Sequence, residues 1–123
     1  MILKKIPDSE LEIMKVIWNN DKSVSSKEII KIMEDKKEWK QTTTLTLLKR
    51  LTNKKIISAE KVKTVTYYTA IIDKKSYLEV ETSNFFKKLH GNSLKSFITT
   101  LHDNNDITDE DLDELEKWIR ESR

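Results

Sequence analysis

Residues 39–55 read WKQTTTLTLLKRLTNKK. Leu47, Leu48 and Leu51 make the apolar side of a helix running from about Gln41 to Lys54. Thr42, Thr43, Thr46, Lys49, Arg50 and Asn53 fall at relative positions 0, 1, 4, 7, 8 and 11, a polar and basic stripe without one acidic residue. Three threonines near a helix start lower helix propensity, and solvated helix faces ordinarily carry Glu, Lys and Gln instead. Hydroxyls and cations in one stripe match the phosphates and base edges of a nucleic acid. The plain alternative is a solvated face, with Arg50 pairing to an acid of an earlier helix as a brace.

Working outward, charge follows the same division. Residues 1–72 hold 15 Lys+Arg against 9 Asp+Glu, and residues 73–123 hold 8 against 12. Between Lys40 and Ile72 seven basic residues face one acid, Glu60. The front half is thus suited to a polyanion and the back half to some other task.

Upstream, Pro7, Asp8 and Ser9 open a helix with Glu10 and Glu12 near its positive end, and Ile13, Met14, Ile17 and Trp18 recur at helical spacing. Asn19-Asn20-Asp21 ends it near Asn20, and Val24 is expected to add a short strand to a later sheet. Ser25 through Glu28 fits a reciprocal capping box that starts a second helix, whose buried face is Ile29, Ile30 and Met33. Downstream, Ile56–Glu60 and Thr66–Ala70 read as two strands joined by the basic tip Lys61–Val65. With no Gly or Asn in that tip, a loop of three or more residues is expected.

The remainder is helical by pattern. Asp73 caps a helix carrying Tyr77, Phe85, Phe86 and Leu89. Gly91, the single glycine, sits at a C-terminal cap, and Ser93 and Thr108 open two more helices. The fold expected is mainly α with a small β-hairpin. It comprises an N-terminal winged helix-turn-helix at 1–72 and a C-terminal three-helix region at 73–123. Leu94, Phe97, Ile98, Leu101, Leu112, Leu115, Trp118 and Ile119, with Phe85 and Leu89, exceed what three short helices can cover, so a dimer seam is expected.

Composition excludes several classes. The 123 residues contain no cysteine, one glycine and one proline, which removes disulfides, thiolate chemistry and glycine-rich phosphate loops. No apolar run approaches the ~18 residues of a membrane span, and a cytoplasmic protein is expected. His90 and His102 lack metal-ligand spacing, and no nucleophile triad is visible, so neither a cofactor nor an enzyme activity is expected.

Ser9–Trp18, Ser25–Ile30, Trp39–Leu51, Tyr67-Tyr68, Thr82–Leu89, Asn92–Leu94 and Asp111–Leu115 together resemble the penicillinase-repressor family of winged-helix regulators, the BlaI/MecI type. The resemblance spans nearly the whole chain and is most specific in the T-x-x-T-L-L-x-R-L stretch. It implies a homodimeric repressor on a dyad operator of β-lactamase or related resistance genes, joined through its C-terminal helices. DNA contacts are then expected from Gln41, Thr42, Thr43, Thr46, Lys49 and Arg50 on the third helix, and from Lys61 and Lys63 on the wing. The resemblance further implies a sensor protease system that cleaves the helical region. The matching bond lies at Phe97 and Ile98, where this chain departs from the Asn–Phe pair of the staphylococcal-type members. Those members also carry an arginine where this chain has Leu45, leaving either a lost base contact or a leucine against a thymine methyl. The copper-sensing branch needs cysteines that are absent here. A winged-helix protein-interaction module and a ligand-responsive regulator of the same fold are the competing readings.

Overall fold

The computed structural model describes residues 4–123. The elements are α1 (Asp8–Trp18), β1 (Val24–Ser25), α2 (Ser26–Lys37), α3 (Gln41–Asn53), β2 (Ile57–Val62), β3 (Val65–Ala70), α4 (Lys74–His90), α5 (Leu94–Asp103) and α6 (Asp109–Ser122). The antiparallel sheet has the order β1-β3-β2, with Val24 opposite Tyr68. Val24 therefore adds its short strand to the hairpin, as its isolated apolar position implies. No helix among the described residues is long and apolar enough to cross a membrane.

The chain forms two compact units that divide after Val80. In the first, α1, α2 and α3 pack around Ile13, Met14, Ile17, Ile29, Met33, Leu47, Leu48 and Leu51. The sheet closes this core with Val24, Ile57 and Tyr68. Trp39 is half-buried against it. Ile30 is only half-buried as well, because Ile29 and Met33, four apart, hold the centre of the buried face of α2.

The division falls eight residues beyond the Ile72 boundary expected from sequence, and the first turns of α4 explain why. Tyr77 is buried, its hydroxyl accepts a 2.9 Å hydrogen bond from the Ile6 backbone N–H, and its ring lies 5.7 Å from that of Trp18. Trp18 in turn donates its indole N–H to the Ile72 carbonyl at 2.9 Å. The start of α4 thus belongs to the core of the first unit.

Local chemistry differs from expectation at three further points. Ser25 accepts from the Glu28 N–H at 3.2 Å, so α2 has a side-chain cap, but the return bond of a capping box is seen at α6 instead, between Thr108 and Asp111. The hairpin turn is two residues long, Lys63-Thr64, with Val62 opposite Val65. Lys63 supplies the positive φ of 58° that such a turn needs and that glycine or asparagine would adopt more cheaply. Glu10, read as a helix-dipole residue, is 3% exposed and meets Lys54 at 2.8 and 3.1 Å, tying α1 to the end of α3. The brace foreseen for Arg50 is thereby made by Lys54. At the end of α1, Asn20 bonds the Val16 carbonyl at 2.8 Å and closes the last turn.

The second unit comprises the end of α4 with α5 and α6. Gly91 has φ +53° beyond the end of α4, the left-handed cap expected there. Ser93 caps α5 by accepting from the Ser96 N–H at 3.1 Å. Phe97 gathers this unit, with its ring 6.2 Å from both Phe85 and Phe86 and 5.1 Å from the His90 imidazole, all edge-on. No residue from Glu81 to Arg123 is buried.

Two outcomes follow from this packing. Thr44 is fully buried on α3, and its hydroxyl has no partner among the described residues. Thr44→Val should therefore raise stability by about 1 kcal/mol in urea titration, whereas a loss would mean that the hydroxyl is satisfied. Hydrogen bonding from Ser76, side chain first and backbone second, holds the Asp73 carboxyl below its usual value. Its stabilisation of the α4 start is complete above the ordinary carboxylate pKa of about 4 and is lost as pH falls through the lower folded value. Amide shifts of Ser76 should follow that titration and lose it in Asp73→Asn.

Candidate nucleic-acid interface

Helix α3 has two opposed faces because its apolar residues repeat with the helical period. Thr44, Leu47, Leu48 and Leu51 are buried against the first unit's core, and the side away from them carries Thr42, Thr46, Lys49 and Asn53. Thr43 and Arg50 flank that side on one edge and Leu45 on the other. All of these outward residues are exposed. Gln41, the first residue of the helix, is exposed as well.

The electrostatics of this face are one-sided. The first turn of α3 contains no acidic residue, its N-cap is Lys40, and no side chain caps its free N–H groups. The positive end of the helix dipole and a lysine therefore stand together without a counter-charge on the helix, an arrangement favourable to an anion. Helix α6 does the opposite, with Asp109, Glu110 and Asp111 in its first turn and a complete capping box. Arg50 makes no ion pair among the described residues. Together with Thr42, Thr43, Thr46 and Leu47 it lines a shallow concavity of about 280 Å³. Thr46 donates its hydroxyl to the Thr42 carbonyl at 2.8 Å, which leaves its oxygen lone pairs facing outward as acceptors.

The wing presents a second basic element. Lys61 near the end of β2 and Lys63 in the turn are both exposed. All eight residues expected to contact nucleic acid are exposed on the first unit, six on α3 and two on the hairpin. Leu45, for which the sequence left either a lost base contact or a thymine-methyl contact, is exposed beside them. Its phase in the sequence agrees, since Leu45 falls off the apolar side that Leu47, Leu48 and Leu51 define.

The residues singled out in the second unit occupy its surface. Phe85, Leu89, Leu94, Trp118 and Ile119 are exposed, Leu89 by 61% and Trp118 by 62%, while Phe97, Ile98, Leu101, Leu112 and Leu115 are half-buried. Phe97 and Ile98 lie within the continuous helix α5, four and five residues into it. His102 meets Asp109 at 2.9 Å, and His90 meets the Ser96 hydroxyl at 3.1 Å. Both histidines have local partners.

Comparison with known proteins gives a consistent relationship. The sequence profile described as penicillinase repressor matches residues 6–121. The penicillinase repressor of Bacillus licheniformis is 33% identical over 124 residues, covering 98% of this chain and 96% of that protein. The penicillinase repressor of Staphylococcus aureus is 30% identical over 111 residues, covering 90% and 87%. The methicillin resistance regulatory protein MecI of S. aureus is 25% identical, with coverage of 90% and 89%. Among solved structures, the DNA-binding domain of the repressor BlaI superposes with a TM-score of 0.55 at 38% identity, covering 59% of this chain and 88% of that one. The B. licheniformis BlaI monomeric form in complex with the blaP half-operator superposes with a TM-score of 0.53 at 36% identity, covering 60% and 89%. The elements of the first unit, the outward stripe of α3 and these likenesses along the full length agree: the chain belongs to the penicillinase repressor family.

Proposed function

We propose that this protein is a sequence-specific DNA-binding transcriptional repressor that occupies a dyad operator as a homodimer. The observation that carries the reading is the acid-free outward face of α3, which has an uncapped, lysine-bearing N-terminus and an unpaired Arg50 among the described residues. In a major groove the hydroxyls of this face meet base edges and phosphates, and its cations replace counterions. Gln41, Thr42, Thr43, Thr46, Lys49 and Arg50 make these contacts, Arg50 with the geometry to fork onto a guanine. Lys61 and Lys63 on the wing contact phosphates and set position, not sequence. BlaI, which resembles the first unit at 36% identity, has been solved on a half-operator.

The second unit supplies the second copy. The end of α4 with α5 and α6, where no residue from Glu81 onward is buried, leaves Phe85, Leu89, Leu94, Trp118 and Ile119 in water. Covering them on a like surface is favourable by roughly 25 cal/mol per Å². A two-fold pair also matches a dyad in the DNA, with half-sites one helical turn of ~10 bp apart or a multiple of it. Residues up to Val80 are thus assigned to DNA and the remainder to dimerisation. Repression follows from occupancy of a promoter, a binding function and not catalysis. Release by proteolysis at Phe97–Ile98 would cut α5 beside the Phe85–Phe86–His90 ring cluster and dismantle the dimer surface. Because α5 is intact helix there, such cleavage requires local opening first.

If each dimer neutralises ~8 phosphates, log affinity should fall against log salt with a slope of about −7, and Lys63→Ala should make the slope shallower by about one or two. Anisotropy titrations between low and moderate salt measure this, and a wild-type slope near −1 excludes the binding mode. A fragment ending at Val80 should stay folded, sediment as a monomer and bind the full dyad about a hundredfold more weakly or worse. A fragment that remained a tight dimer would relocate the seam.

A further inference from the structure

Leu45 is the one large apolar side chain of α3 that is exposed, at 38%. It does not belong to the packed side, which Thr44, Leu47, Leu48 and Leu51 complete. Thr42 lies three residues before it, Thr46 one after it and Lys49 four after it, all exposed. At about 100° per residue, Leu45 and Arg50 stand some 140° apart and bound the outward face on opposite edges. A lone exposed leucine is ordinary on most surfaces. On this one it interrupts a run of hydroxyls and cations that suits phosphate.

A leucine has neither donor nor acceptor, so it gains nothing from a phosphate or from most base edges. In the major groove one group matches it, the C5-methyl of thymine. The neighbouring threonines carry methyl groups to the same face, so a thymine methyl seated there would have carbon on more than one side. Resting on the DNA-binding reading above, we propose that Leu45 is a specificity-determining residue that selects a thymine in each half-site through its C5-methyl group.

The test begins by selecting duplexes from a random library with the full-length protein, which defines the half-site. Each thymine of that site is then replaced singly by deoxyuridine, which removes one methyl and preserves base pairing. One thymine per half-site should lose about fourfold in affinity on methyl removal, the factor that ~0.8 kcal/mol for a buried carbon group converts to. Leu45→Ala, at an exposed position that spares the fold, should bind the thymine and deoxyuridine duplexes equally. Selection with Leu45→Arg should move the same position from thymine to guanine. The proposal is overturned if no deoxyuridine weakens the wild type, if Leu45→Ala shows the same methyl dependence, or if Leu45→Ala leaves affinity unchanged. If the wild type selects no duplex at all, the DNA-binding reading fails with it, so the two failures are distinguishable.

Discussion

Burial of Leu47, Leu48 and Leu51 against α1 and α2 is the constraint on which the first unit depends. These side chains are at most 5% exposed, and Leu48 and Leu51 are completely enclosed. Removing a leucine from such a place costs about 2–5 kcal/mol, a large share of a small domain's stability. Because a helix has one phase, burying these three fixes where every other side chain of α3 points. The polar stripe is outward because the leucines are inward, and the functional face is set by the core.

The ends of α3 are held by different means, consistent with different tasks. Its C-terminal side is tied through Lys54 to the buried Glu10 carboxylate of α1. That contact spends one cation of the basic segment on the fold, while Lys49 and Arg50 remain exposed on the other side. The N-terminal side has no side-chain cap and no acid, whereas α6 carries both. Capping contributes about 1 kcal/mol to a helix. Its absence at α3 is tolerable because tertiary packing, not the cap, holds the helix in place.

The second unit inverts the balance. Its helices are well started, by Ser93 and by Thr108 with Asp111, yet its apolar residues remain in contact with water. The edge-on cluster of Phe85, Phe86, His90 and Phe97 joins α4 to α5 but leaves Phe85 exposed. Local helix signals and a shortage of interior thus coexist in this unit, which is the basis for the dimer proposed above.

Element order, the apolar phase of α3, the short strand at Val24 and the caps at Ser93 and Thr108 were all legible in the sequence, because each follows from local spacing and from the backbone groups a helix end leaves free. The two-residue turn at Lys63-Thr64 was not, since the usual glycine signal is absent and strand pairing carries a lysine into the left-handed region. Nor was the burial of Thr44 in a run of exposed threonines, the choice of Lys54 over Arg50 as the partner of Glu10, or the docking of Tyr77 onto Ile6 and Trp18. Short-range periodicity by itself determined which faces exist. Which residues meet across 44 or 71 positions of chain, and therefore which charges are left free and where the first unit ends, was decided only by tertiary packing, because those contacts depend on how separate helices come together.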